Sequence, residues 1–144
     1  MIIDDIIHGI SEKLKKIFPD IPVYYDEIEQ KFKEPSFFIK VIRSDETQVL
    51  GSRYYREYDF DIAYFPKKND NLDMFKMIDK LHNILEYIMT PEGYLLRGVD
   101  RRTDEVDDVL HYILAFHIYI YKSDGKERIF MENLKTNQNT KGGV

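Results

Sequence analysis

Three carboxylates at alternate positions, Glu57, Asp59 and Asp61, come closer to a reactive arrangement than anything else in this chain. Alternate side chains of a strand project from one face, so the three acids share a side, as acids do in metal-dependent nucleases. Such sites pair an aspartate with a downstream acid-x-lysine. Here the residues two places after Glu57, Asp59 and Asp61 are Asp59, Asp61 and Ala63, and Lys67 lies beyond Pro66, off the strand. Without that lysine the acids read more simply as a solvated or subunit-facing surface. Among the four histidines, His111 and His117 fall on one strand face but ~20 Å apart at ~3.3 Å per residue, too far to share a metal. His8 and His82 sit on separate helical segments beside apolar stripes. All four read as surface or half-buried structural residues. The chain has no cysteine, hence no thiolate nucleophile and no Cys-ligated zinc. No glycine has the neighbours of a G-x-S-x-G elbow or of a phosphate-cradling loop. No catalytic, cofactor-binding or metal residue is therefore assigned, and the chain is not expected to be an enzyme.

The remaining patterned side chains suit contact rather than chemistry. Arg97, Arg101 and Arg102 stand beside the acidic stretch Asp104–Asp108. Arg97 and Arg101 are expected on one strand face, paired across a hairpin or meeting a neighbouring subunit. Tyr54, Tyr55 and Tyr58 alternate with Arg53 and Arg56, a mixture enriched at protein interfaces. Single-stranded nucleic acid can stack on such a platform, but Glu57, Asp59 and Asp61 are interleaved with it. The whole chain, with 21 Lys and Arg against 26 Asp and Glu, carries a net charge of −5. That balance argues against nucleic acid as a specific partner. No apolar run reaches the ~20 residues of a membrane helix, and MIIDDIIHGI carries acids where a signal peptide carries basic residues. A soluble protein made and kept in the cytosol is expected, with no membrane partner.

The elements that must position these residues follow from periodicity. Residues 2–18 read as a helix, with Ile3, Ile6, Ile7, Ile10, Leu14 and Ile17 on one face. Residues 21–29 read as a strand, and Pro35 opens a second over Ser36–Arg43. Ser44–Ser52 reads as a polar loop. Arg53–Phe65 is a long strand whose Tyr58, Phe60, Ile62 and Tyr64 face a core. A second helix follows, capped by Asp70 or Asn71, with Leu72, Phe75, Ile78, Leu81, Leu85 and Ile88 as its apolar stripe and Thr90–Gly93 as its end. Tyr94–Thr103 and Val109–Lys122 read as two more strands around an acidic turn. The second carries bulk on both faces, so a central or doubly covered position is expected.

The order α-β-β-β-α-β-β predicts an α+β fold. Its sheet is expected to be mostly antiparallel with four to five strands and two helices on one face. Residues 1–123 are expected to form a single domain. Residues 124–144 are expected to be a C-terminal extension, largely flexible, with one short helix possible over Lys126–Leu134 and a polar, glycine-containing end.

Four stretches together resemble a known family: MIIDDII at the start, VYYDEIEQKFKEPSFFIKVI, QVLGSRYYREYDFDIAYFP, and LLRGVDRRTDEVDDVLHYILAF. Their joint order over about Ile2–Tyr121 looks like the phage tail terminator family of prophages and tail-like particles in Gram-positive bacteria. The resemblance implies a structural virion protein, assembled in the host cytoplasm, that forms a ring, usually a homohexamer. The ring sits on the head-proximal end of the tail tube and stops its polymerisation. Implied partners are further copies of the chain, the tail tube protein, a neck or head-completion protein, and the sheath protein if the tail contracts. No cofactor comes with the family. Residues expected at the subunit or tube interface are Gln48, Arg53, Tyr54, Tyr55, Arg56, Arg97, Arg101, Arg102, Asp104 and Asp107, with the Ser44–Arg53 loop and the Asp104–Asp108 turn aimed at the tube. Another head–tail joining protein is the alternative, and a nuclease using the strand acids is a third.

Overall fold

The computed structural model describes residues 2–25, 33–67 and 70–130. Helix α1 (Ile2–Ile17) forms where isoleucines recur at helical spacing. Ile2, Ile6, Ile10 and Leu14 are buried, and Ile3 and Ile7 pack at the margin of the core. Asp4 and Asp5 in its first turn and Lys15 and Lys16 in its last complement the helix dipole. Ile17, expected on the stripe, is exposed.

Strands β1 (Val23–Tyr24), β2 (Ser36–Leu50) and β3 (Arg53–Phe65) follow, then α2 (Asn71–Ile84) and a small hairpin of β4 (Tyr87–Met89) and β5 (Leu95–Arg97). Strands β6 (Val99–Val106), β7 (Val109–Ser123) and β8 (Lys126–Ile129) complete the order. The main sheet has the sequence β1-β2-β3-β7-β6, with β8 also paired to β7. Among the described residues only β1–β2 is parallel; the other pairs are antiparallel. The fold is thus α+β, as expected. The main sheet has six strands rather than four to five, and β4–β5 forms a separate pair.

Register explains the core. Phe37, Ile39 and Val41 of β2 lie opposite Tyr64, Ile62 and Phe60 of β3. On the other side Phe60, Ile62 and Tyr64 lie opposite Leu114, Tyr112 and Leu110 of β7. These side chains and the buried stripes of both helices form one cluster. Burying a residue such as Leu114 or Ile62 contributes on the order of 1.5–3 kcal/mol. The central place of β7 matches its expected bulk on both faces, although His117 and Tyr119 on its second face are exposed.

Several local expectations are corrected. The expected loop Ser44–Ser52 is mostly strand: β2 runs on to Leu50, and the turn is only Gly51–Ser52. Exposed polar residues hide this from any apolar pattern, because nothing is buried under that half of the strand. The stripe of α2 is rotated. Met74, Met77 and Leu81 face the core, while Leu72 and Phe75 are 62% and 61% exposed. Two contacts hold that phase. Asp70 Oδ1 accepts from the Asp73 amide at 3.0 Å, capping the helix, and the buried Tyr64 hydroxyl donates to Asp73 Oδ2 at 2.5 Å. Desolvation of its ring, then that bond, pushes the Tyr64 hydroxyl pKa far up. The helix ends at Ile84, so Ile88 belongs to β4 and Thr90–Gly93 is the β4–β5 turn.

The expected strand Tyr94–Thr103 is divided at Gly98 into β5 and β6. A Cβ on Gly98 would meet Leu85 O at 2.8 Å and Leu114 Cδ1 at 2.9 Å, so the chain crosses the core where only glycine fits. Over Lys126–Leu134 the described part is a strand, β8, not a helix, and the sheet continues past Ser123 to Ile129. The first expected strand is reduced to Val23–Tyr24, and its residues 26–29 lie outside the described residues, as does the polar segment 131–144. No helix among the described residues is long and apolar enough to cross a membrane.

Candidate functional site: the open face and free edges of the sheet

The sheet face opposite the helices gathers the residues that chemistry singled out. Glu57, Asp59 and Asp61 do project from one side of β3. Each carboxylate has its own partner. Arg43, brought opposite by β2, donates through Nε to Asp59 Oδ2 at 2.9 Å, lies 3.6 Å from Glu57 and also contacts Asp45. His111 Nδ1 is 2.8 Å from Asp61 Oδ2. His117 Nε2 is 3.7 Å from Glu57 and 3.9 Å from Asp100. The basic residue that meets these acids thus comes from β2 as Arg43. Among the described residues no group of three or more His, Asp or Glu is placed to hold a metal. Asp61 Oδ1 is buried and has no hydrogen-bond partner among them. Tyr55 stacks at a tilt against Tyr119, 4.9 Å between centroids, and completes this face.

A second charged network lies on the helix side. Arg56, with only 13% of its side chain exposed, forks onto Glu127 of β8 at 2.8 and 3.1 Å. It also donates to Glu46 Oε1 at 2.7 Å and to the Tyr58 hydroxyl at 2.9 Å. Lys122 Nζ reaches Glu46 Oε2 at 2.8 Å and lies over the Tyr54 ring at 4.1 Å. The Arg56 bond holds the Glu127 carboxyl below its ordinary range, and the Lys122 bond, then Arg56, does the same for Glu46. This network ties β2, β3, β7 and β8 together.

The sequence-derived interface residues are dispersed. Gln48 is spent on the hairpin turn, donating to Gly51 O at 2.8 Å. Arg53 lies 4.7 Å from the Phe130 ring, and Tyr54 and Arg56 belong to the helix-side network. Arg97, on β5, pairs with Glu86 at 3.2 Å. Arg101, on β6, donates to His82 O at 2.7 Å. Arg97 and Arg101 therefore do not share a strand face: the break at Gly98 and the left-handed Asp100 (φ 52°) separate them. Arg102 and Asp104 are exposed on β6, opposite Ile113 and His111. Asp107 and Asp108, both at positive φ, make the two-residue β6–β7 turn. Sequence reading missed Arg43, Asp45, Glu46, Lys122 and Glu127. The alternation Arg43-x-Asp45 was a usable signal, but it lay in a stretch read as loop.

Two strand edges are open among the described residues. β2 is paired on its outer side only by β1, at Phe37 and Phe38. β6 is paired only by β7.

What these surfaces amount to is a small α+β module with two dissimilar free edges and a polar face. The pattern defining the family described as phage tail terminator protein matches residues 5–128. The chain belongs to the phage tail terminator family. It is a component of the virion tail with a role in tail completion, and its partners are other tail components. No curated protein matches the sequence. A solved chain is similar over 87% of this chain and 96% of its own, at 12% identity and a TM-score of 0.45.

Proposed function

We propose that the protein forms a closed ring, with six copies as the expected number, on the head-proximal end of a phage-type tail tube. There it stops tube polymerisation and presents a surface to the neck or head, and to the last sheath ring if the tail contracts. The role is structural, without a reaction. The observation that carries this reading is the family match across residues 5–128. A physical feature supports it: a cyclic ring needs two different patches per subunit, and the sheet offers two unlike edges.

The test mixes the purified protein with tubes assembled from the particle's own tube protein and images the ends by electron microscopy. The expected result is a ring at one end only, with growth arrested. Bare ends with unchanged tube lengths overturn the reading. Binding to neck proteins in that case favours the head–tail joining alternative.

A further inference from the structure

We propose that neighbouring copies join edge to edge, with β2 of one copy pairing antiparallel to β6 of the next, in a register that sets Asp45 against Arg102. The proposal rests on the ring reading and specifies its subunit contact.

Strand direction comes first. The path β2-β3-β7-β6 consists of antiparallel pairs only, so β6 runs opposite to β2. Copies related by rotation about an axis roughly along the strands then bring β6 of one beside β2 of the next, antiparallel and with like faces aligned. The sheet continues from copy to copy without inversion.

Position along the edge comes second. Among the described residues, the outer side of β2 is occupied by β1 only at Phe37 and Phe38. Irregularities at Val41/Arg43 and Gln48/Leu50 bracket a regular, exposed stretch, Arg43–Gln48. Bulges protect an edge from indiscriminate pairing, and here they leave one stretch open among the described residues. The stretch is shorter than β6, which runs from Val99 to Val106.

Charge fixes the register. Arg43 and Asp45 lie on the polar face, opposite Asp59 and Glu57. Arg102 and Asp104 lie on the same face, opposite Ile113 and His111. Setting Asp45 against Arg102 places Arg43 opposite Asp104, Ser44 opposite Thr103, and Glu46 opposite Arg101, so each charged pair is complementary. Sliding by two residues either way, the smallest slip that keeps the faces aligned, sets Asp45 against Asp104 or against Asp100, and the second slip also sets Arg43 against Arg102. Opposed like charges are unfavourable. Arg43 and Asp45, which contact each other within one copy, are 41% and 57% exposed and can be reached by a neighbouring strand.

The chain has no cysteine, which makes the test clean. Facing residues in an antiparallel pair lie ~4.5–5.5 Å apart between Cα atoms, within disulfide reach. The full chain carrying Asp45→Cys and Arg102→Cys is oxidised both on capped tubes and free at high concentration, then run on a denaturing gel. A ladder beyond dimer is expected. It should be absent from each single variant and from a Thr47→Cys/Asp104→Cys pair four residues out of register. Dimers alone mean that β2 meets its own copy, and overturn the proposal, as does a chain that stays monomeric in both settings. Capping by the unmodified chain without a ladder sinks this contact while the terminator role stands. A ladder in solution from a chain that never caps tubes supports the contact and sinks the role. As a second readout, Asp45→Arg should raise the concentration for assembly on the order of tenfold or more, and adding Arg102→Asp should restore it. Failure of the double variant to recover overturns the register.

Discussion

Replacing Arg56 by methionine removes a guanidinium while keeping a stem of similar length. Arg56 serves three partners, Glu127, Glu46 and the Tyr58 hydroxyl. Buried hydrogen bonds to charged groups contribute ~1.5–3 kcal/mol each, whereas exposed ion pairs contribute ~0–1 kcal/mol. The Arg56 side chain is nearly covered, but those of Glu127 and Glu46 are about a third exposed, so water screens much of the attraction and solvates the acids once the arginine is gone. The loss is therefore set at about 2 kcal/mol in total. For a chain of this size that lowers Tm by roughly 6–8 °C. Urea unfolding of Arg56→Met, Glu127→Gln and the double variant measures it. The two single losses should sum to clearly more than the double. A loss for Arg56→Met below about 0.5 kcal/mol, the scale of an ordinary surface change, refutes the idea that this network clamps β8 to the sheet.

The same network gives stability an acid-side dependence. The folded-state pKa values of Glu127 and Glu46 lie below the ordinary 4.5, so their contribution is complete above that value and is lost as pH falls through the folded values. Unfolding midpoints measured from neutral pH down to about pH 3 should fall less for Glu127→Gln than for the unmodified chain; equal slopes count against the pairing. The phase of α2 is tested by contrast: Phe75→Ser should change stability by no more than ~0.5 kcal/mol, and Met77→Ala should cost about 2–5 kcal/mol, whereas the reverse order would restore the stripe read from sequence. Gly9→Ala should destabilise by about 1–3 kcal/mol despite the better helix propensity of alanine, since its Cβ would sit 2.7 Å from Met89 O; a gain in Tm would mean that α1 does not pack so closely on β4.

Much of this architecture was legible because it is written in apolar periodicity. α1, β3 and β7 each bury a regular stripe, and each was located within a few residues. The failures have a common cause. From Arg43 onward β2 buries no side chain, and its strand character comes from backbone pairing with β3, which no hydrophobic pattern records. In α2 the apolar residues Leu72 and Phe75 outweigh Met74 and Met77 on any hydropathy count, yet the Asp70 cap and the Tyr64–Asp73 bond select the methionine face. The acids of β3 were legible as a group, but their partners were not: that Arg43 meets Asp59 and His111 meets Asp61 depends on register, fixed by strands distant in sequence. The family resemblance was carried by the joint order of four segments, not by any interface residue among them.

The one-sided pairing of β2 should leave a mark in amide hydrogen exchange. Along an antiparallel edge, successive N–H groups point alternately at the partner strand and at water. Between Arg43 and Gln48, slow amides bonded to β3 should therefore alternate with fast ones. β7 lies between β3 and a second neighbour along both of its ends and should be slow throughout those stretches. The alternation is a reading of vacancy along the strand, and arrival of another strand there would erase it residue by residue without altering the subunit's own fold.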